Sequence, residues 1–220
     1  MPPAGADPGG HPGLREQVAI ADLPREDLAA GIEVLASGMR DNPVHVAAFG
    51  PDPEKRARGL RAMFTGLFKV MRSQRPICAR DGEGRLVGVA GVAPPGTCRP
   101  GAWRRLGMFP YLLARGPYVA GRVAGWSSVW ARSDLDEPHS HLGPFAVRPE
   151  LQGRGIGSRL LEAYTGGLDR EGAVGYLETD RERNVGLYER FGFEVVGTEE
   201  VLGERCWYMR RPAGAARSAA

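Results

Sequence analysis

Gln152-Gly153-Arg154-Gly155-Ile156-Gly157-Ser158 is the stretch of this 220-residue sequence whose residue types point most directly to chemistry. The alternating glycines Gly153, Gly155 and Gly157 leave backbone N–H groups without side-chain cover, so a ligand can come close to them. A short apolar run, His141 to Val147, precedes the glycines, and Leu160, Leu161, Tyr164 and Leu168 follow at helical spacing. Strand, glycine turn and helix start in that order gather unpaired N–H groups and the positive end of a helix dipole at one point. The chemistry this predicts is binding of a phosphate or pyrophosphate, with Arg154 and Arg159 adding charge. No Lys-Ser/Thr follows the last glycine and the spacing is not G-x-G-x-x-G, which excludes a Walker loop and a dinucleotide fingerprint. An ordinary strand-to-helix turn is the plain alternative.

Further candidates follow in order. Val174-Gly-Tyr-Leu-Glu178-Thr179 reads as an apolar strand ending in a carboxylate. Asn184-Val-Gly-Leu-Tyr188 reads as a short helix running into Phe191-Gly192-Phe193, and Glu194 to Gly197 with Cys206 to Met209 reads as a closing hairpin. Together, Gln152 to Gly157, Leu177-Glu178-Thr179, Asn184, Leu187-Tyr188 and Gly192-Phe193 resemble the GNAT N-acetyltransferase family. The resemblance is specific over Leu142 to Met209 and architectural before it, and Leu177 to Phe193 with the Arg205-Cys-Trp-Tyr-Met-Arg210 ending is locally similar to puromycin-type acetyltransferases within that family.

The resemblance implies an α+β fold: a single domain with a mixed, mostly antiparallel central sheet flanked by helices. It implies acetyl-CoA as donor and direct attack by a primary amine in a ternary complex. The cofactor contacts it implies are Phe145, Ala146, Val147, Gln152, Gly153, Arg154, Gly155, Ile156, Gly157, Ser158, Asn184 and Tyr188. Attack on a thioester develops an oxyanion, which strand N–H groups around Phe145-Ala146-Val147 would stabilise; a bulge there, as in the family, would free one of them. The amide-rich pantetheine arm would pair with the same strand edge.

A leaving thiolate needs a proton, and a phenol of pKa about 10 is close enough to a thiol of about 8.5 to supply it. Tyr188 matches the family tyrosine given that role; a tyrosine anchoring the last helix to the core is the alternative. The attacking amine must lose a proton. Glu178 is the first candidate to take it or to hold a cationic substrate, with His141, Asp134 and Glu137 behind it. The acceptor is read as a small-molecule amine; a peptide or protein N-terminus and a non-catalytic acyl-CoA sensor are the competing readings.

The remaining sequence must position these residues. A tail is expected over residues 1–13 and another over 212–220, with the acyltransferase domain at 14–211. A strand at Val18 to Ile20 precedes a helix through Leu28, Ile32, Leu35 and Met39. Val44 to Phe49 is apolar but of no definite type. Pro53 opens a second amphipathic helix through Leu60, Met63, Phe64, Leu67 and Met71. The family resemblance makes His45 and Phe49, between these helices, candidate substrate contacts; core packing is the competing role for Phe49. Ile77 to Arg80 and Leu86 to Val92 form strands about an Asp81-Gly-Glu-Gly84 turn. Residues 93–130 read as an aromatic insertion with Trp103, Phe109, Tyr111 and Tyr118, either an extra packing layer or a wall of the acceptor pocket.

A net charge of +3 without any lysine-rich run does not call for nucleic acid, and the apolar stretch 108–130 is broken by Arg115, Pro117 and Arg122, so no membrane span is expected. The N-terminus lacks a signal pattern, which makes a cytoplasmic location the expectation. The three cysteines form no C-x-x-C pair, and the His139/His141 pair has no cysteine or carboxylate at metal-ligand spacing, so no metal site is expected. A homodimer is left open.

Overall fold

The computed structural model describes residues 17–98, 107 and 109–215. The expected tail at 1–13, Trp103 of the insertion, and residues 216–220 lie outside the described residues. Seven strands form one sheet: β1 (Ala19–Asp22), β2 (Ile77–Arg80), β3 (Leu86–Ala93), β4 (His139–Val147), β5 (Val174–Thr179), β6 (Glu194–Val201) and β7 (Glu204–Arg211). Their order is β1-β2-β3-β4-β5-β7-β6, and every neighbouring pair is antiparallel except β4 with β5. The mixed, mostly antiparallel sheet expected from the family resemblance is present.

Among the described residues seven helices flank it: α1 (Leu28–Gly38), α2 (Pro43–Phe49), α3 (Pro53–Val70), α4 (Phe109–Leu113), α5 (Pro117–Ser133), α6 (Ile156–Glu171) and α7 (Glu182–Glu189). On one face, residues of α1, α2, α3 and α5 pack with Val89, Ala146, Tyr176 and Tyr208. On the other, the α6 stripe Ile156, Leu160, Leu161, Tyr164 and Leu168 packs with Val87, Ala90, Leu142, Leu177 and Met209. Successive strand residues thus feed two cores, which is why β3 is apolar throughout rather than alternating. Each fully buried apolar side chain in these layers contributes roughly 1.5–3 kcal/mol relative to exposure.

The stretch Val44 to Phe49, untyped in the sequence, is α2. Proline stands at its first helical position, and the cap comes from far along the chain: the Asp180 carboxylate accepts from Val44 N at 2.9 Å and from Asn42 Nδ2 at 3.2 Å. Buried Arg56 of α3 ties the loops on either side of α2 together by donating to the carbonyls of Arg40, Gly50 and Pro51 and to Asp41 Oδ1 at 2.6 Å. The insertion is a packing layer over the described part. Ala120, Val123 and Trp126 are buried, and Arg122 Nε donates to Ala47 O at 2.8 Å. The closing hairpin is longer than its alternation suggests, turning at Leu202 and Gly203, both at positive φ. Buried Arg211 at its end donates to Phe191 O and to Asp169 Oδ1, and also to Ala215 O in the turn 212–215.

Gly38 marks the closest approach of α1 to β4. A Cβ there would stand 2.5 Å from Val147 O and 2.8 Å from Ala146 Cβ, so the backbones would have to separate. Gly38→Ala is expected to lower unfolding stability by about 1–3 kcal/mol through overpacking. Gly121→Ala, inside α5 where a Cβ meets nothing within 4 Å, should be neutral or stabilising. Urea unfolding of the two variants checks this; equal midpoints would refute the close packing at Gly38.

Candidate active site

β4 and β5 run parallel and are hydrogen-bonded only over His139↔Val174, Ser140↔Gly175 and His141↔Tyr176. Beyond that point β4 continues to Val147 and β5 to Thr179, but no register joins them. The two central strands part, leaving the β4 edge from Leu142 onward without a strand partner on that side among the described residues. Backbone donors and acceptors so exposed are ready to pair with an extended, amide-bearing ligand.

A bulge shapes this edge. Between Ala90↔Phe145 and Val92↔Leu142 the β4 side holds Gly143 and Pro144 against Gly91 alone. The extra residue reverses the alternation, so that Phe145 and Val147 join the α6 core while Ala146 joins the α1 side. The bulge lies at Gly143–Pro144, upstream of the Phe145-Ala146-Val147 stretch expected to hold it, and one of its residues is a proline without an N–H. Gly91 must lack a side chain, since a Cβ would stand 2.6 Å from Gly143 O.

The glycine loop stands at the mouth of the gap. Gly153 and Gly155 take positive φ of 78° and 81°, and Gly155 is the residue at which α6 begins. No side chain caps α6, so the N–H groups of its first turn, around Ile156, Gly157 and Ser158, face outward. A Cβ at Gly157 would meet Phe145 Cζ at 3.5 Å and Val147 Cγ2 at 3.9 Å, both ordinary contacts; the protein's own packing does not require glycine there. Ile156 is buried in the α6 core and offers its backbone alone. These observations fit a pyrophosphate held by main-chain N–H groups. Arg154 is exposed, whereas Arg159 is partly drawn to Glu162 at 3.1 Å. Gln152 does something else: its amide donates to Val147 O at 3.1 Å and Gly38 O at 3.3 Å, tying the loop to β4 and α1.

The two expected catalytic residues lie on opposite faces of the sheet. Leu177 belongs to the α6 core, so its neighbour Glu178 points to the α1 side, where its Oε2 lies 2.8 Å from His141 Nε2. That carboxylate is 4% exposed and, among the described residues, has no further partner. Tyr188 is buried on the α6 side against Phe193, with ring centroids 6.1 Å apart. Its backbone carbonyl accepts from Phe191 N and Phe193 N, so it also anchors the end of α7. Burial, then the charge of Asp180, raises the phenol's pKa above its ordinary value, which keeps it a neutral donor. Asn184, one turn earlier on α7, is half-buried.

Of the other candidates, His45 is not a substrate contact. It is 2% exposed, its Nδ1 lies 2.7 Å from Met39 O, and its ring packs on Trp126 and Phe64; burial lowers its pKa. Phe49 is core, lying against Gly59. Glu137 is held by Arg210 at 2.6 Å. Asp180 and Arg181 were not singled out from the sequence, yet they fix the loop between α1 and α2. Arg181 Nε donates to Asn42 Oδ1 at 2.8 Å and its NH2 to Asp41 O at 2.7 Å. Their position right after the Leu177-Glu178-Thr179 strand was the available signal.

The reading of the histidine pair needs correcting. His139 and His141 lie with Cys98 and Asp134 in one group whose ligand-type atoms are all within 4.8 Å of each other. Burial disfavours a charged His141, but Glu178 and Cys98 outweigh it and raise its pKa to about 10. Burial acts likewise on His139, where Asp134 and Cys98 bring the value to about 10. Burial raises the Cys98 thiol, and the two imidazoles more than reverse this, lowering it to about 7.

The acetyltransferase (GNAT) family model matches residues 47–193. The chain is 33% identical over 123 residues to N-alpha-acetyltransferase RimI of Mycobacterium tuberculosis, covering 52% of this chain and 75% of that protein. Mycothiol acetyltransferase of Propionibacterium freudenreichii is 32% identical over 83 residues, 36% of this chain and 27% of that one. A solved Corynebacterium glutamicum structure, described as histone acetyltransferase HPA2 and related acetyltransferase, superposes with a TM-score of 0.70 at 23% identity, covering 93% and 99% of the two chains. Among the described residues no helix is long and apolar enough to cross a membrane. With a glycine loop at the mouth of a parted parallel strand pair and a family match over most of its length, this chain belongs to the acetyltransferase (GNAT) family, enzymes that take the acetyl group from acetyl-CoA.

Proposed function

We propose that this enzyme acetylates a primary amine of a small molecule, and that transfer takes place in the gap between β4 and β5. The observation that carries the reading is the placement of Tyr188 and Glu178 on opposite faces of the sheet where the strands part. A donor threaded along the β4 edge with its phosphates at Gly153, Gly155 and Gly157 presents its thioester to that gap. The N–H groups of Ile156, Gly157 and Ser158 and the arginine at 154 hold the pyrophosphate. Phe145, Ala146 and Val147 offer the strand edge to the pantetheine amides, and Asn184 lines the α7 side.

The proton account then divides across the sheet. Glu178, with one oxygen held by His141, takes a proton from the amine on the α1 side, directly or through a water. Tyr188 donates a proton to the leaving sulfur on the α6 side. Separate groups for the two transfers suit direct attack in a ternary complex, since no nucleophilic side chain is needed between them. The similarity to RimI supports a second reading, a peptide or protein N-terminus as acceptor.

Tyr188→Phe should lower kcat about 10²–10⁴-fold, the usual worth of a positioned acid, while calorimetric affinity for acetyl-CoA stays within twofold. Unchanged turnover would remove Tyr188 from the chemistry. Glu178→Gln should lower kcat by at least about tenfold with the same donor affinity; wild-type turnover would leave Glu178 a purely structural partner of His141. At Gly157 an added methyl fits the protein but intrudes on the ligand side. Gly157→Ala should therefore weaken acetyl-CoA binding by about 1–3 kcal/mol, tenfold or more, with an unaltered melting temperature; equal affinity would place the pyrophosphate elsewhere. Thiol release from acetyl-CoA across a panel of diamines, aromatic amines and free-N-terminus peptides decides the acceptor. Small amines alone should support turnover, and activity confined to peptides would establish the second reading.

A further inference from the structure

Of the Cys98, Asp134, His139 and His141 group only His141 touches the proposed proton transfer, by holding Glu178, and none serves donor binding; the group's geometry is that of a metal site. Three separate segments build it. Cys98 ends the turn that follows β3, Asp134 is the residue after α5, and His139 and His141 stand two apart on β4, hence on one face. Cys98 Sγ lies 3.3 Å from His139 Nε2 and 3.6 Å from Asp134 Oδ2, and Asp134 Oδ1 lies 2.9 Å from His139 Nε2. A ring nitrogen of His141 completes the group within 4.8 Å.

We propose that these four residues bind one zinc ion, which clamps the start and end of the insertion to β4 at the point where β4 leaves β5. Around a tetrahedral zinc, bonds of about 2.3 Å to sulfur and about 2.0–2.2 Å to nitrogen or oxygen put neighbouring ligand atoms about 3.3–3.6 Å apart. The cysteine edge to Asp134 Oδ2, at 3.6 Å, already has the length expected for an edge to sulfur, and the one to His139, at 3.3 Å, is about 0.2 Å short of it. The carboxylate oxygen nearest His139 is Oδ1, at hydrogen-bond distance, whereas Oδ2 faces Cys98; the ion takes one of the two and replaces that hydrogen bond. The donors suit zinc over magnesium or calcium, because a thiolate and two imidazoles are soft to borderline ligands. Thiolate and carboxylate together carry two negative charges, matching a divalent ion; the thiol proton leaves as the sulfur ligates.

The surroundings orient the ligands. His139 Nδ1–H donates to Glu137 O at 2.8 Å, which leaves Nε2 directed at Cys98 and Asp134. His141 lies against the Glu178 carboxylate at 2.8 Å, the carboxylate–histidine pairing common behind metal ligands. The side chains of His139 and Asp134 are 3% and 6% exposed and those of His141 and Cys98 are half-buried, so an ion there is covered on one side and partly open on the other. Four protein ligands leave no open position, which makes the site structural rather than catalytic. Through His141 it nonetheless bears on Glu178, so its occupancy stiffens the acceptor side of the gap.

The test uses the full chain and the metal itself. Elemental analysis after dialysis against zinc, followed by a chelator with a colorimetric zinc indicator, should give one zinc per chain. The melting temperature should fall on chelation and recover with zinc but not with magnesium. Cobalt(II) added to the metal-free chain should give tetrahedral visible bands and a thiolate-to-cobalt charge-transfer band. Cys98→Ser should abolish that band and lower zinc affinity at least a hundredfold, whereas Cys78→Ser, outside the group, should retain both. Because the cobalt spectrum is read on the unaltered chain, a variant that fails to fold does not obscure the result. Zinc far below one per chain, with no cobalt charge-transfer band, would overturn the site whether or not the enzyme is active on any amine.

Discussion

The arrangement depends on where β4 and β5 stop pairing. A parallel pair in the middle of a sheet normally keeps its ladder for the length of the shorter strand, because each buried N–H or C=O left alone is costly. Here the ladder ends after His141↔Tyr176 although both strands continue. The bulge at Gly143–Pro144 bends β4 away from β5, and α1 presses on its far end through Gly38. A row of backbone groups is left facing a gap, with the uncapped start of α6 at its mouth. An extended ligand bearing amides at one end and phosphates at the other satisfies both features at once, which is the physical reason the fold suits acyl-CoA.

Parting the strands also lets chemistry act from both faces. Strand alternation sends Leu177 to the α6 core and Glu178 to the α1 side, while α7 brings Tyr188 against Phe193 on the α6 side. The gap is held open from the acceptor side by polar ties rather than by apolar packing alone. Asp180 caps α2, Arg181 holds Asn42 and Asp41, and buried Arg56 gathers three carbonyls from the two loops that flank α2. A helix cap of this kind contributes about 1 kcal/mol, so losing Asp180 would loosen the loop well before it unfolded the domain.

Local signals made part of this legible in the sequence. The glycine alternation marked the start of α6, its apolar stripe marked the face, and Glu178 and Tyr188 stood at recognisable distances from it. Other features depend on contacts that no local window holds. The Val44 to Phe49 segment is a helix whose cap, Asp180, lies 136 residues away. Leu202 takes φ 58° in the β6–β7 turn, where the expected signal would be asparagine or glycine. Gln152 looked like a ligand contact because it sits in the loop, but its amide serves Val147 and Gly38. The histidine pair looked solitary because Cys98 is 41 residues before His139 and is brought back by the turn after β3. Spacing reveals metal-type clusters only when one segment supplies the ligands.

The central claim, that donor binding completes the β4 edge and the first turn of α6, is tested most directly by amide hydrogen exchange with and without acetyl-CoA. The account predicts slowed exchange at Phe145 to Val147 and at Ile156 to Ser158, with little change along the β1–β2 pair. Protection appearing elsewhere, with these amides unaltered, would contradict it.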